Sequence, residues 1–159
     1  SRIGIEIYWT NNNTISGNTI ANNMYGTWLQ RAFNNSIYHN NFINNTHQVW
    51  DVAWPGGWLE RVPSINVWDD GFPSGGNYWS DYAEKYPDAE ELDGSGIWDT
   101  PYVIDENNKD NYPLMHHWTP PKPTPAPFLF YYSVIAAAIA AAAVVTCIAL
   151  RKRHKTKST

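Results

Sequence analysis

Along residues 1–50, short apolar runs recur, each broken by asparagine. Ile3-Gly4-Ile5-Glu6-Ile7 alternates apolar and polar positions, the period-two pattern of a strand with one buried face. Asn clusters separate the runs, and Asn suits turns because it tolerates left-handed backbone and bonds to its own main chain. The whole order returns after 22 residues: Asn13-Thr14-Ile15 as Asn35-Ser36-Ile37, Asn18 as Asn40, Ile20 as Phe42, and Asn22-Asn23 as Asn44-Asn45. A third copy opens with Val49 under Thr27 and Trp50 under Trp28. Strand pieces and Asn turns in one constant register predict the coils of a parallel β-helix. Ile15 would then sit over Ile37 and Ile20 over Phe42 inside the coil, with asparagines in ladders at the corners. Two coils bury their apolar faces only on each other, so further coils are expected before Ser1.

The other strong pattern is Phe128 to Leu150, 23 residues without a charge, Pro or Gly. A helix of about 20 apolar residues spans a bilayer, so this run predicts one transmembrane helix at 128–150. Directly after it, Arg151, Lys152 and Arg153 open a basic tail over 151–159, which places the C-terminus in the cytoplasm and the rest outside the cell membrane. The bilayer is therefore an expected partner. Between Trp118 and Pro127, five of ten residues are Pro, a stiff spacer.

Charge sharpens this picture. The 15 acidic residues all precede residue 111, and the tail holds five of the 11 Lys and Arg. The outer part thus carries 6 − 15 = −9, and the tail +5. An acidic exterior excludes nucleic acid as a partner, since phosphate binding needs clustered Lys and Arg. Cys147, the single cysteine, lies in the apolar run, so no disulfide framework supports the fold.

The stretch from Asn66 to Met115 contains NVWDDGFPSGGNYWSDY, ELDGSGIWDTPYVID and NKDNYPLM. Its aromatics and Gly-Pro turns suit a cap that closes the open end of a solenoid. The Asn-rich repeat together with GNYWSDY and DTPY resembles the NosD-like family, named for a periplasmic copper-binding protein, and its relatives among carbohydrate-binding and sugar-hydrolase β-helices. The resemblance covers roughly residues 1–115 and is of the archaeal surface-protein type. It implies an all-β, right-handed parallel β-helix with a C-terminal cap, to which the apolar run adds one transmembrane α-helix. The expected layout is coils at 1–65, cap at 66–117, linker at 118–127, helix at 128–150 and tail at 151–159.

Four kinds of site are candidates. Glu91, Asp93, Ser95 and Asp99 alternate oxygen side chains with Gly turns, as Ca²⁺ loops do. The related family block carries more Asp and Gly, so Glu91, Ser95 and Trp98 weaken the match; an acidic turn that caps backbone amides is the competing account. Trp28 and Trp50 share the repeat offset and would put two rings on neighbouring coils, a face for extracellular glycans. Asn12, Asn34 and Asn44 head N-x-[ST] sequons, which permit N-glycosylation of an exported chain. Copper is expected to be absent despite the family's name, because His39, His47, His116, His117, Met24 and Met115 show no converging spacing. No catalytic residue is assigned: Glu6 is the one acid in the repeats, and Asp69-Asp70 would point to opposite faces of a strand. The expected function is therefore a membrane-anchored surface scaffold, structural, adhesive or glycan-binding, whose partners are glycans or other surface proteins. The alternatives are a polysaccharide hydrolase or lyase with catalytic coils upstream, and a NosD-like metal accessory protein.

Overall fold

In the computed structural model the described residues are 1–53 and 62–123. The chain divides into two units, residues 1–120 and 121–159, and every strand and helix below belongs to the first. The expected membrane run at 128–150 and its basic flank, Arg151, Lys152 and Arg153, lie outside the described residues. Among the described residues no helix is long and apolar enough to cross a membrane.

The first coil is β1 (Ile3–Tyr8), β2 (Thr14–Ser16) and β3 (Thr19–Ala21); the second is β4 (Tyr25–Gln30), β5 (Phe33–Tyr38) and β6 (Asn41–Ile43). The third is β7 (His47–Asp51), β8 (Ile65–Val67) and β9 (Tyr78–Trp79). Like strands stack into three parallel sheets: β1-β4-β7 in sheet 1, β2-β5-β8 in sheet 2 and β3-β6-β9 in sheet 3. The register is the repeat itself. Ile3 pairs with Tyr25, Ile15 with Ile37 and Ile20 with Phe42. The chain is thus all-β, a parallel β-helix, as the 22-residue offset requires.

The corners use left-handed backbone at matching positions. Trp9 and Arg31, Asn12 and Asn34, Gly17 and His39, and Asn22 and Asn44 all have positive φ. Glycine is needed where coils approach most closely: a Cβ on Gly26 would lie 2.4 Å from the Gln48 carbonyl oxygen. Inside, Ile7, Leu29, Ile37 and Phe42 are buried. One column runs on through aromatic rings: Phe42 stacks on Trp79 at 4.4 Å and Trp79 on Tyr102 at 4.2 Å.

Asparagine ladders join the coils. The Asn35 Oδ1 accepts from both the backbone N–H and Nδ2 of Asn13, at 3.0 and 2.9 Å. Asn66 Oδ1 receives Asn35 in the same way, and Asn108 Oδ1 receives the backbone of Asn66. A second ladder runs Asn18, Asn40, Asn77 and ends on Asp110. A third runs from Asn23 to Asn45, then through Gln48 to Asp81. In the first two ladders, and between Asn23 and Asn45 in the third, each rung also satisfies a backbone N–H. The outermost rung is the exposed one. Asn18→Ala removes an exposed bond to the Ser16 carbonyl and a part-buried one to Asn40 Oδ1, and is expected to cost about 1 kcal/mol in urea melts.

Two insertions displace the third coil from the repeat. Phe33 pairs with Ile65 and Asn41 with Tyr78, offsets of 32 and 37 in place of 22. The coils therefore run on to Trp79, past the boundary at residue 65 expected from the periodic pattern, because β8 and β9 keep their sheet partners while the connections between them lengthen. The cap follows: α1 (Tyr82–Lys85), then the antiparallel pair β10 (Tyr102–Val103) and β11 (Lys109–Asp110). Tyr82 and Tyr102 of the cap are buried together with Trp68 and Trp79 of the third coil. Burial and the nearby Asp99 push the Tyr82 hydroxyl up to about 12, so it stays protonated and donates to the Thr100 carbonyl.

Candidate functional site

Gly26 and Thr27 are both buried between Tyr25 and Trp28, so β4 departs from strict alternation and turns both rings to the outer face, where the repeat stacks side chains in columns. Along the outer face, Glu6, Trp28 and Trp50 occupy one column and Ile3, Tyr25 and His47 the next. The pairing of Trp28 with Trp50 expected from the offset is present. Tyr25, from the neighbouring column, contacts both indoles. Tyr25 lies edge-on to Trp28 at 4.8 Å and 5.5 Å from Trp50, and it stacks on His47 at 5.4 Å. His47 lies 5.1 Å from Trp50. Tyr25, Trp28 and Trp50 are half-buried, while Glu6 and His47 are exposed. Four rings in mutual contact thus form an outward surface on the second and third coils, with Glu6 in register beside Trp28 on the first. Trp28 and Trp50 were legible from the offset. Tyr25 and His47 were not singled out, although their own 22-residue spacing put them in the same register.

The face continues into a cleft of about 170 Å³, lined by His47, Val49, Trp50, Asp51, Ile104 and Asp105. It lies where the last strand of sheet 1 meets the cap. Both acids in it serve the backbone. Asp51 accepts from the Ala53 and Ser64 N–H groups, and Asp105 from those of Asn107 and Asn108.

In the acidic loop from Glu91 to Asp99, two carboxylates accept backbone N–H groups. Glu91 Oε1 accepts the Gly96 N–H at 2.8 Å, and Asp99 Oδ1 accepts the Glu90 N–H at 3.1 Å. The Ser95 hydroxyl donates to the Leu92 carbonyl, and Asp93 is exposed with positive φ. These oxygens hold a turn that presents Ile97 to the interior, where it is 1% exposed. Among the described residues no three His, Cys, Asp or Glu side chains are gathered closely enough to hold a metal ion.

A family model described as the periplasmic copper-binding protein NosD matches residues 1–84, more than half of the 159. The chain belongs to the NosD family. No curated protein matches it, and neither does any solved structure. The NosD match spans the three coils to β9 and stops inside α1, so the residues that end the ladders, Asn108 and Asp110, lie beyond it. The copper of the family's description does not fit the donors present. His39 stacks on Trp118 and its Nε2 sits 2.9 Å from the Ser74 carbonyl, His47 stacks on Tyr25, and His117 packs edge-on to Tyr78. These imidazoles stand in separate aromatic contacts with no shared centre, and Met24 is an isolated exposed side chain. No step is derived through copper.

Proposed function

We propose that this NosD-family chain is the capped end of a membrane-anchored, cell-surface β-helix, right-handed as in its relatives, that binds extracellular carbohydrate on the outer face of sheet 1. The observation that carries this reading is the four-ring surface of Tyr25, Trp28, His47 and Trp50, with Glu6 in the same column. The C–H faces of a sugar ring carry partial positive charge and pack on electron-rich aromatic faces. A carboxylate beside them accepts sugar hydroxyl groups. Parallel stacking spaces such rings at about 4.8 Å per coil, which suits an extended polysaccharide laid across the coils better than a single small sugar. The apolar run at 128–150 and the basic residues after it support the anchor.

The test is binding of soluble polysaccharides of defined composition, by calorimetry and array. Trp50→Ala is expected to weaken binding about tenfold, since a stacking aromatic contributes about 1.5 kcal/mol. Trp28→Ala is expected to act in the same direction, while Phe72→Ala, an exposed ring outside sheet 1, leaves affinity unchanged. A panel without any ligand, or equal affinity for the wild type and Trp50→Ala, would overturn the reading.

A further inference from the structure

The three sequons share one geometry. In Asn12-Asn13-Thr14, Asn34-Asn35-Ser36 and Asn44-Asn45-Thr46, the first Asn has φ of 59°, 54° and 52°. In each, that Asn is exposed, and its carboxamide makes no hydrogen bond among the described residues. The second Asn is a ladder rung, with its side chain committed to the neighbouring coil. Left-handed backbone at the first position turns that carboxamide out to solvent while the next one turns inward. The hydroxyl two residues on, from Thr14, Ser36 or Thr46, is likewise outside any side-chain hydrogen bond among the described residues. Asn22-Asn23-Met24 has the same fold, with Asn22 at φ 58°, but Met24 supplies no hydroxyl.

We infer that Asn12, Asn34 and Asn44 are N-glycosylation sites, and that Asn22 is not. The donor is an oligosaccharide joined through phosphate to a lipid carrier, transferred by a membrane enzyme outside the cytoplasm. The Asn Nδ2 forms a bond to the sugar's anomeric carbon as that carbon's bond to the phosphate oxygen breaks. The lipid phosphate leaves with the electron pair, and one amide proton passes to a base. The fold accommodates the product because each modified nitrogen stands clear of the ladders. Asn12 lies between β1 and β2, Asn34 is the second residue of β5 near the same turn, and Asn44 lies between β6 and β7. Glycans there would border the aromatic face of sheet 1 on both sides without covering a ladder. This inference stands independently of what that face binds.

The experiment is translation of the full chain behind an export signal into transferase-containing microsomes, reading only protease-protected chains. Three mass increments removable by peptide N-glycosidase are expected. Thr14→Ala, Ser36→Ala and Thr46→Ala should each remove one increment while leaving the left-handed Asn in place, and the triple variant should carry none. Met24→Thr should add a fourth increment at Asn22. Protected chains of unmodified mass, or an increment that survives the triple substitution, would overturn the inference.

Discussion

Asn108→Ala is expected to lower the stability of the folded chain by on the order of 3–6 kcal/mol, with a matching drop in the urea midpoint. Asn108 is 1% exposed and closes the first ladder from the cap. Its Oδ1 accepts the Asn66 N–H at 2.9 Å and the Trp68 indole N–H at 3.1 Å, and its Nδ2 donates to the Ser64 carbonyl at 2.8 Å. All three partners are buried. Truncation leaves two donors and a carbonyl unpaired in a place water does not reach, and each orphan costs about 1–3 kcal/mol. The strain falls where slack is least, since Asn66 Nδ2 already has no partner. A total stability of about 5–15 kcal/mol makes this a large fraction. Asn108→Asp should not rescue it. The acceptors return, but the donor to Ser64 is lost and a second carboxylate is placed against Asp105, which now bonds Asn108 Nδ2 at 2.9 Å. Asn107→Ala, on the exposed neighbour, should stay within about 0.5 kcal/mol of the wild type. If Asn107→Ala and Asn108→Ala melt alike, the ladder end is not what holds the cap.

The same residues show what the sequence made legible. The 22-residue offset carried the strand register, the interior column from Ile20 to Phe42 and the pairing of Trp28 with Trp50, because a stacked coil repeats its environment and therefore its residue types. Where the environment stops repeating, the pattern falls silent. The third coil keeps its strands but takes long connections, so Ile65 and Tyr78 lose the constant offset to Phe33 and Asn41. The cap offers nothing to align. Asn108 and Asp110 complete ladders begun some 90 residues earlier, yet they sit in NKDNYPLM, where Asn and Asp read as ordinary turn residues. Only their i, i+2 spacing, across the start of β11, hints that both side chains face the same coil. The acidic loop left two accounts open, a cation loop and a turn that caps backbone amides. Its composition is that of a cation loop, and only geometry shows Glu91 and Asp99 bonded to main-chain N–H groups. The aromatic face lies between these cases: the repeat placed its column, while the interleaving of Tyr25 and His47 depends on ring orientations that no register specifies.

The second large effect is on pH. The chain is expected to be more stable at pH 5 than at pH 8, and the difference should collapse in Asp110→Asn. Asp110 ends the second ladder where every lower rung is Asn, and it is fully buried. Its two oxygens meet only N–H donors. Oδ2 accepts from the Asn77 backbone at 2.7 Å and the Trp79 indole at 2.9 Å, and Oδ1 from the Tyr112 backbone at 3.1 Å. An amide would turn its NH₂ against one of those donors, which accounts for Asp at this rung. Gly76 makes the room, since a Cβ there would lie 1.9 Å from Oδ1. The donors favour the ionised carboxyl, but burial opposes it more strongly and the nearby Asp69 adds to that, so the group is pushed up to about 7. The unfolded chain releases this proton near the ordinary value of 3.8. Between those values the folded state holds a proton that the unfolded state does not, so stability falls as pH rises. The contribution is fully present below about 4 and is lost through about 7, to an extent of roughly 4 kcal/mol at most. In Asp110→Asn the loss of the Tyr112 bond costs about 1–2 kcal/mol at pH 5. That deficit should shrink or reverse by pH 8, where the wild type must bury a charge. Urea melts of both proteins from pH 5 to 8 read this term as the difference between the two. A deficit that stays constant across that range would mean that Asp110 stays ionised in the fold, held so by its three donors.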